Sequence, residues 1–252
     1  MRALITGSSS GMGREMAKYL ASMGWDLILV ARRRERLMEL KESLPKEIDI
    51  KIITLDLSYP ECAKSLYEHM KFEDIDMLIN NAGFGLFGEF ADTDLDKELQ
   101  MINTNITAVH ILTKLFLQKF VEEDKGRILN VASSAGFLAG PLLSSYYASK
   151  NYVVRLTEAI YEELRRNNSN VKISCFCPGP VNTEFNQVAG VRFAIDAIGE
   201  VEAAHYAIDR AFKNKLIIIP TASMKVVHFF SRFVPEKMLT RINYNVQRKK
   251  DN

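Results

Sequence analysis

The chain has 252 residues, 47% of them hydrophobic and 25% charged, with a formal net charge of +2. That length carries one large α/β domain or two small ones and buries a full core, and so small a charge argues against nucleic acid as the main partner. No stretch approaches the roughly 18 apolar residues of a bilayer span, and the opening MRALITG starts a strand and meets glycine before the apolar region of a secretory leader could form.

Short apolar runs alternate with helical periodicity along the chain. Strands are predicted at 2–6, 26–31, 50–55, 76–80, 127–131, 171–176 and 216–219. They are β-branched or leucine-rich without polar alternation, the pattern of central strands buried on both faces. Helical stripes between them run through Leu37, Leu40 and Leu44, through Leu95, Leu99, Ile102, Ile106 and Val109, and through Val201, Ala204, Ile208 and Ala211. This alternation implies a doubly wound parallel sheet of seven strands with helices on both faces and right-handed crossovers. With no internal repeat, low-complexity tract or linker, residues 1–252 read as a single domain, with 220–252 as a C-terminal amphipathic basic extension.

The segment TGSSSGMG, 6–13, follows the first strand and opens the first helix. Gly7, Gly11 and Gly13 allow a tight turn and let a phosphate approach the backbone, where the helix N-terminus presents unpaired N–H groups. The spacing is G-x3-G-x-G rather than G-x-G-x-x-G, and methyltransferases use a similar loop; the position between strand and helix is what points to a nucleotide. In NAD-binding sheets an acidic residue about 20 positions beyond the glycines holds the ribose 2′-OH. Here VARRRERL places Arg32 and Arg33 there, and Arg14 directly follows the last glycine. A guanidinium suits a 2′-phosphate instead, which favours NADP(H), with NAD(H) still possible. Arg34 and Arg36 read as the solvated start of a second helix.

In SSYYASK, 144–150, Tyr146 lies four residues before Lys150 and Tyr147 three before it. Both spacings share a helix face, so spacing does not choose between them. The three cysteines, Cys62, Cys175 and Cys177, are odd in number, and Cys-Phe-Cys inside an apolar run reads as two thiols on one strand face. Reduced thiols fit a cytoplasmic protein.

The glycine segment, LDL (55–57), NNAG (80–83), NTN (103–105), NVASSAG (130–136), YYASK (146–150) and PGPVNT (178–183) occur in an order that resembles the short-chain dehydrogenase/reductase family, over roughly residues 1–190. The resemblance implies a Rossmann-type fold. Its Tyr-x3-Lys pattern selects Tyr146 as acid/base, and its serine thirteen positions earlier selects Ser133 over Ser134. Tyr147, about 100° around the helix, then faces packing or substrate. Lys150 would lower the phenol's pKa and hold the nicotinamide ribose, Ser133 would hydrogen-bond the carbonyl oxygen, and Asn105 would hold a relay water or satisfy a helix irregularity. The resemblance sets the cofactor against Gly7, Ser9, Ser10, Gly11, Met12, Gly13, Arg32, Arg33, Asp56, Leu57, Asn81, Ala82, Gly83, Tyr146, Lys150, Pro178, Gly179, Val181 and Thr183. Asn80 would brace the sheet. No metal is implied, and a homodimer or homotetramer through the helices carrying Asn105 and Tyr146 is.

Beyond residue 190 the resemblance thins. Val226, Val227, Phe229, Phe230, Phe233 and Val234 alternate with Lys225, Arg232, Lys237, Arg241, Arg248, Lys249 and Lys250. A helix packed on the body or on a partner subunit is favoured over one lying on a membrane. Phe84, Leu86, Phe87, Phe137, Leu138 and Phe185 form a candidate apolar wall suited to hydrophobic alcohols and ketones. The reading is an oxidoreductase interconverting a hydrophobic ketone or aldehyde and its alcohol. The alternatives are a non-catalytic NADPH-binding sensor or scaffold and a membrane-surface carbonyl reductase.

Overall fold

The computed structural model describes residues 1–182, 184 and 197–248. Its main sheet has seven strands: β1 (Arg2–Thr6), β2 (Asp26–Ala31), β3 (Ile50–Thr54), β4 (Met77–Asn80), β5 (Arg127–Val131), β6 (Lys172–Phe176) and β9 (Ile217–Ile218). They lie in the order β3-β2-β1-β4-β5-β6-β9, and every pairing is parallel. β7 (Val181–Asn182) and β8 (Ile198–Gly199) form a separate short parallel ladder. Pro220 stands two residues after the end of β9, where a residue without an N–H limits further pairing.

Successive strand residues feed two cores. Ala3 and Ile5 face one with Met16 and Leu20 of α1 (Gly11–Ser22), Leu37 and Leu40 of α2 (Arg34–Ser43), and Ala204 and Ile208 of α7 (Glu200–Phe212). Leu4 faces the other with Leu66 of α3 (Pro60–Met70), Phe116 of α5 (Val109–Glu122) and Ile160 of α6 (Ser144–Arg166). Burial on both faces is why β1, β2, β4, β5 and β6 lack polar alternation, whereas β3, expected to be buried on both faces, is an edge strand with only Ile50 buried. β1 lies between β2 and β4, so the strand order reverses there and the carboxyl ends diverge into a crevice.

A buried polar ladder crosses the second core. Asn80 donates to Asn130 Oδ1 at 2.9 Å and Thr113 Oγ1 at 3.1 Å, and Asn130 donates to Thr157 Oγ1 at 3.0 Å. It ties β4, β5, α5 and α6 together, the bracing expected of Asn80. The Cys175 and Cys177 thiols are buried and free, with their sulfurs 3.7 Å apart.

Two apolar stripes turn out differently from the pattern. In α4 (Leu95–Ile102) Leu95 and Leu99 are exposed, while Glu98 and Met101 are buried. The π-helical turn Asn103–Ala108 follows at once and widens the repeat, so a 3.6-residue stripe cannot stay on one face through to Val109. Val201, at the start of α7, is also exposed, whereas Ala204, Ile208 and Ala211 are fully buried.

The C-terminal extension forms α8 (Ala222–Ser231) and α9 (Glu236–Arg248). It packs on the body, as favoured, but not by a plain apolar face. α8 has no buried residue, and Val226, Phe229, Phe230 and nearby Phe233 stay exposed. α9 buries two polar residues, Asn243 and Gln247. Among the described residues no helix is long and apolar enough to cross a membrane.

Candidate active site

A cleft of about 590 Å³ runs from the β1–α1 loop to the start of α6. Gly7 has φ +68°, and a Cβ on it would lie 2.8 Å from Ala82 Cα. Only glycine meets both conditions. Thr6 Oγ1 accepts from the Asn81 and Ala82 N–H groups at 3.0 Å, and Asn81 Nδ2 donates back to the carbonyls of Thr6 and Gly7. NNAG and the glycine loop thus lock each other. Gly13 is off the cleft wall: a Cβ there would meet Gly7 O and Asn81 Nδ2 at 2.4 Å, so it braces the loop. α1 begins with no acidic residue in its first turn and no side-chain cap at Ser10, which leaves its N–H groups open to an anion.

Arg33 reaches the same point. It donates to Ser10 Oγ at 2.8 Å and Ser9 Oγ at 3.4 Å, and pairs with Glu184 at 3.0 Å. Arg36 also pairs with Glu184. The Arg36 hydrogen bond, then Arg33, holds the Glu184 carboxyl below its ordinary range against the opposing effect of burial. Arg32 lies 3.8 Å from Asp56, which accepts from Ser58 N–H at 2.9 Å in a strand-end turn. Arg36, read as merely solvated, and Glu184, not singled out, both belong to this charged corner. A nicotinamide dinucleotide fits these residues: a glycine cradle, a free helix N-terminus and guanidinium groups beside it.

Ser133 caps the 3-10 turn Ser134–Phe137, its Oγ accepting from Ala135 N–H at 3.2 Å. It hydrogen-bonds the Tyr146 phenol, a contact that favours the phenolate, whereas burial first and Tyr147 second push the Tyr146 pKa up. Lys150 lies one turn along α6, its ammonium 5.9 Å from the Tyr146 ring centre and donating to Val131 O at 3.0 Å. Burial brings its pKa down to about 8, opposed by Cys175 and Cys177. Lys150 is behind the wall rather than on it; a Cβ on Gly83 would lie 3.2 Å from Lys150 Nζ and 2.9 Å from Asn105 Oδ1. Asn105, fully buried in the π turn, donates to Phe84 O and Ser149 Oγ and accepts from Phe84 N–H. Both its amide hydrogens are therefore engaged in holding the Phe84 backbone and α6.

Of the candidate cofactor positions, Ser9, Ser10, Gly11, Met12, Arg32, Arg33, Asp56, Leu57, Asn81, Ala82, Gly83, Pro178, Gly179 and Val181 line the cleft together with Gly7 and Tyr146. Thr183 and Phe185 lie outside the described residues. Phe84, Phe137 and Leu138 line it too, whereas Leu86 and Phe87 pack in the cluster behind.

Sequence reasoning missed the roof. Met224 and His228 of α8 and Leu239, Ile242, Asn243, Val246 and Gln247 of α9 line the cleft. Met224 covers Gly179, where a Cβ would meet its Cγ at 2.9 Å, and the His228 ring lies against Phe137, tilted by 36° with ring centres 3.8 Å apart. The available signal was a polar pair one turn apart, Asn243 and Gln247, within the apolar run Leu239, Ile242 and Val246. Tyr147 reaches the cleft as well and bonds both polar residues.

The family model for short chain dehydrogenase matches residues 1–192. The chain belongs to that family. The Sulfoacetaldehyde reductase 2 of Chromohalobacter salexigens is 35% identical over 201 residues, 77% of this chain and 79% of that one. The 7beta-hydroxysteroid dehydrogenase of Mediterraneibacter gnavus is 30% identical over 172 residues, covering 68% of this chain and 65% of that protein's length. Among solved structures, a short-chain dehydrogenase from Sphingobium yanoikuyae in complex with NADPH has a TM-score of 0.83 at 28% identity, over 92% of this chain and 93% of its own. A short-chain dehydrogenase/reductase from Burkholderia phymatum in complex with NAD has the same fold, with a TM-score of 0.83 at 23% identity and 92% coverage of both chains. As a short-chain dehydrogenase the chain keeps the Ser133–Tyr146 contact and the glycine cradle within one cleft.

Proposed function

We propose that this protein is an NADP(H)-dependent oxidoreductase that interconverts an apolar ketone or aldehyde with its alcohol. The observation that carries the reading is that one cleft joins the Arg33-flanked glycine loop to the hydrogen-bonded Ser133 and Tyr146. Bound there, the nicotinamide supplies or accepts the hydride.

The chain's own residues handle the oxygen and its proton. The Ser133 hydroxyl donates to the carbonyl oxygen and sets its direction. The Tyr146 phenol gives its proton to the developing alkoxide, or as phenolate takes it from an alcohol. The Lys150 ammonium, behind Gly83, favours the phenolate at pH values below about 8. Asn105 fixes Phe84 and Ser149, and so the spacing between the NNAG segment and α6.

Arg33 and Arg32 support preference for a 2′-phosphate, with Arg36 adding charge. Phe84, Phe137 and Leu138 support an apolar substrate body, in contrast to the small sulfonated aldehyde named for one relative. The exposed Leu95 and Leu99 offer a face for a second copy, consistent with a homodimer or homotetramer in the cytoplasm. A membrane-surface variant of this reading draws on the exposed Phe229, Phe230 and Phe233 beside Lys225 and Arg232; equal liposome co-sedimentation of wild type and a Phe229→Ser/Phe230→Ser variant would dispose of it.

The test is a panel of ketones, aldehydes and alcohols with both cofactors, followed by nicotinamide absorbance. NADPH oxidation with apolar carbonyls is expected. Tight NADPH binding without turnover across the panel would favour a sensor instead.

A further inference from the structure

A polar cluster lies in the roof of the cleft. Asn243 of α9 donates to the Ala139 carbonyl at 2.6 Å, which fixes the direction of its amide. Its Oδ1 therefore faces Gln247 and accepts from Gln247 Nε2 at 3.2 Å. The same Nε2 donates to the Tyr147 hydroxyl. Gln247 is 1% exposed, and its Oε1 is buried with no partner among the described residues. An unpaired buried carbonyl oxygen is costly, and turning the amide over would set Oε1 against Asn243 Oδ1. The orphan is therefore a consequence of the Ala139 anchor.

Tyr147 supplies the complementary half. Its hydroxyl accepts from Gln247 and bonds Asn243, which leaves the phenol proton to be donated. Burial pushes its pKa up, so it stays a donor at neutral pH. Tyr146 and Tyr147 are adjacent in sequence and their rings cross at 78° with centres 6.2 Å apart, but their hydroxyls have different partners, Ser133 for one and the α9 amides for the other. The cleft thus has two polar points, and its lining also includes the apolar Leu143 and Ile242.

We propose that Tyr147, Asn243 and Gln247 form a second substrate-binding point for one hydroxyl group remote from the reacting carbon. Gln247 and Tyr147 both line the cleft, and with a small shift of the side chains that enclose Oε1 such a hydroxyl donates to Gln247 Oε1 and accepts from Tyr147. The substrate class is then an apolar skeleton carrying a carbonyl or carbinol at one position and a further hydroxyl elsewhere. This rests on the oxidoreductase reading for the chemistry at Tyr146, but the binding point stands on its own geometry.

The experiment uses the full-length protein and a panel of fused-ring and long-chain ketones, each paired with the same skeleton bearing one hydroxyl, its position stepped along the skeleton. For each pair kcat/KM with NADPH and equilibrium binding to the NADP-loaded protein are measured for wild type, Gln247→Leu and Tyr147→Phe. At least one hydroxyketone should exceed its parent about tenfold in both readouts, and each variant should bring that ratio below about threefold, as loss of a buried hydrogen bond predicts. Tyr147→Phe keeps the ring that packs on Gly140, where a Cβ would come within 2.1 Å of Tyr147 Cγ, so it guards against misfolding of the α9 variant. Ratios near one throughout the panel, or ratios that survive both substitutions, overturn the proposal. Turnover without discrimination sinks the hydroxyl site alone; discrimination in binding without any turnover upholds the site and sinks the oxidoreductase reading.

Discussion

Beneath the floor of the cleft, Thr6, Asn80, Asn81 and Asn130 are held by hydrogen bonds that join strand to strand and strand to helix. On the roof, α8 has no buried residue, and α9 is held to the body through the amides of Asn243 and Gln247. In the proposed function the floor would hold the cofactor with main-chain geometry that tolerates little change. The roof would meet the substrate with side chains that can change while the sheet stays intact, which is where loops and termini vary.

Substitutions should separate the two regions. The largest effect on folding is expected at Asn130→Ala, which leaves Asn80 and Thr157 with unmet hydrogen bonds in a site of no solvent exposure. A loss of about 2–4 kcal/mol in urea unfolding is expected; a loss under about 0.5 kcal/mol would show that the ladder does not brace the sheet.

Lys150 gives the next effect, and its sign follows from a pKa lowered by burial to about 8. The unfolded chain binds the proton more tightly, so the cost of burying the ammonium is fully present below about 8 and fades as pH rises toward the unfolded value of about 10.4. Relative to Lys150→Met, the cofactor-free wild type should gain on the order of 2–3 kcal/mol of stability across that window. A flat difference would mean that the amine is not buried as a cation.

A smaller effect is expected at Glu184→Gln. Its carboxylate pairs with Arg33 and Arg36, the groups proposed for the 2′-phosphate. Partly exposed pairs are worth at most about 1 kcal/mol, so NADPH affinity by fluorescence titration should rise about threefold with NADH little changed. Equal gains for both cofactors would place the 2′-phosphate elsewhere. Least of all, Phe230→Ser on the uncovered face of α8 should change unfolding by under about 0.5 kcal/mol; a loss above about 1 kcal/mol would mean that this face is packed in solution.

The same contrast explains what was legible in the sequence. The floor is written locally: Gly7 needs its left-handed φ, strands buried on both faces are continuous apolar runs, and Tyr146 and Lys150 share a helix turn. Each can be read within a few residues. Leu95 and Leu99 misled because the π turn after them rotates the face, and Gly13 and Asn105 prove to be braces whose partners lie far along the chain. The roof depends on contacts between residues 100 or more apart, Tyr147 with Gln247 and Ala139 with Asn243. Its amphipathic pattern fits several partners, and only the folded arrangement shows that polar side chains, rather than the phenylalanines, face inward.

The central claim is that the phenol of Tyr146 moves the proton while hydride passes at the neighbouring cofactor. It is tested most directly by reducing an apolar ketone with NADPH deuterated at the transferring carbon, using wild type and Tyr146→Phe, and locating deuterium in the product by mass spectrometry. The account predicts deuterium on the carbinol carbon with wild type, and a rate at least about a thousandfold lower with the variant, whose NADPH affinity stays within a few-fold. Label transfer by Tyr146→Phe at a rate near that of wild type would contradict it.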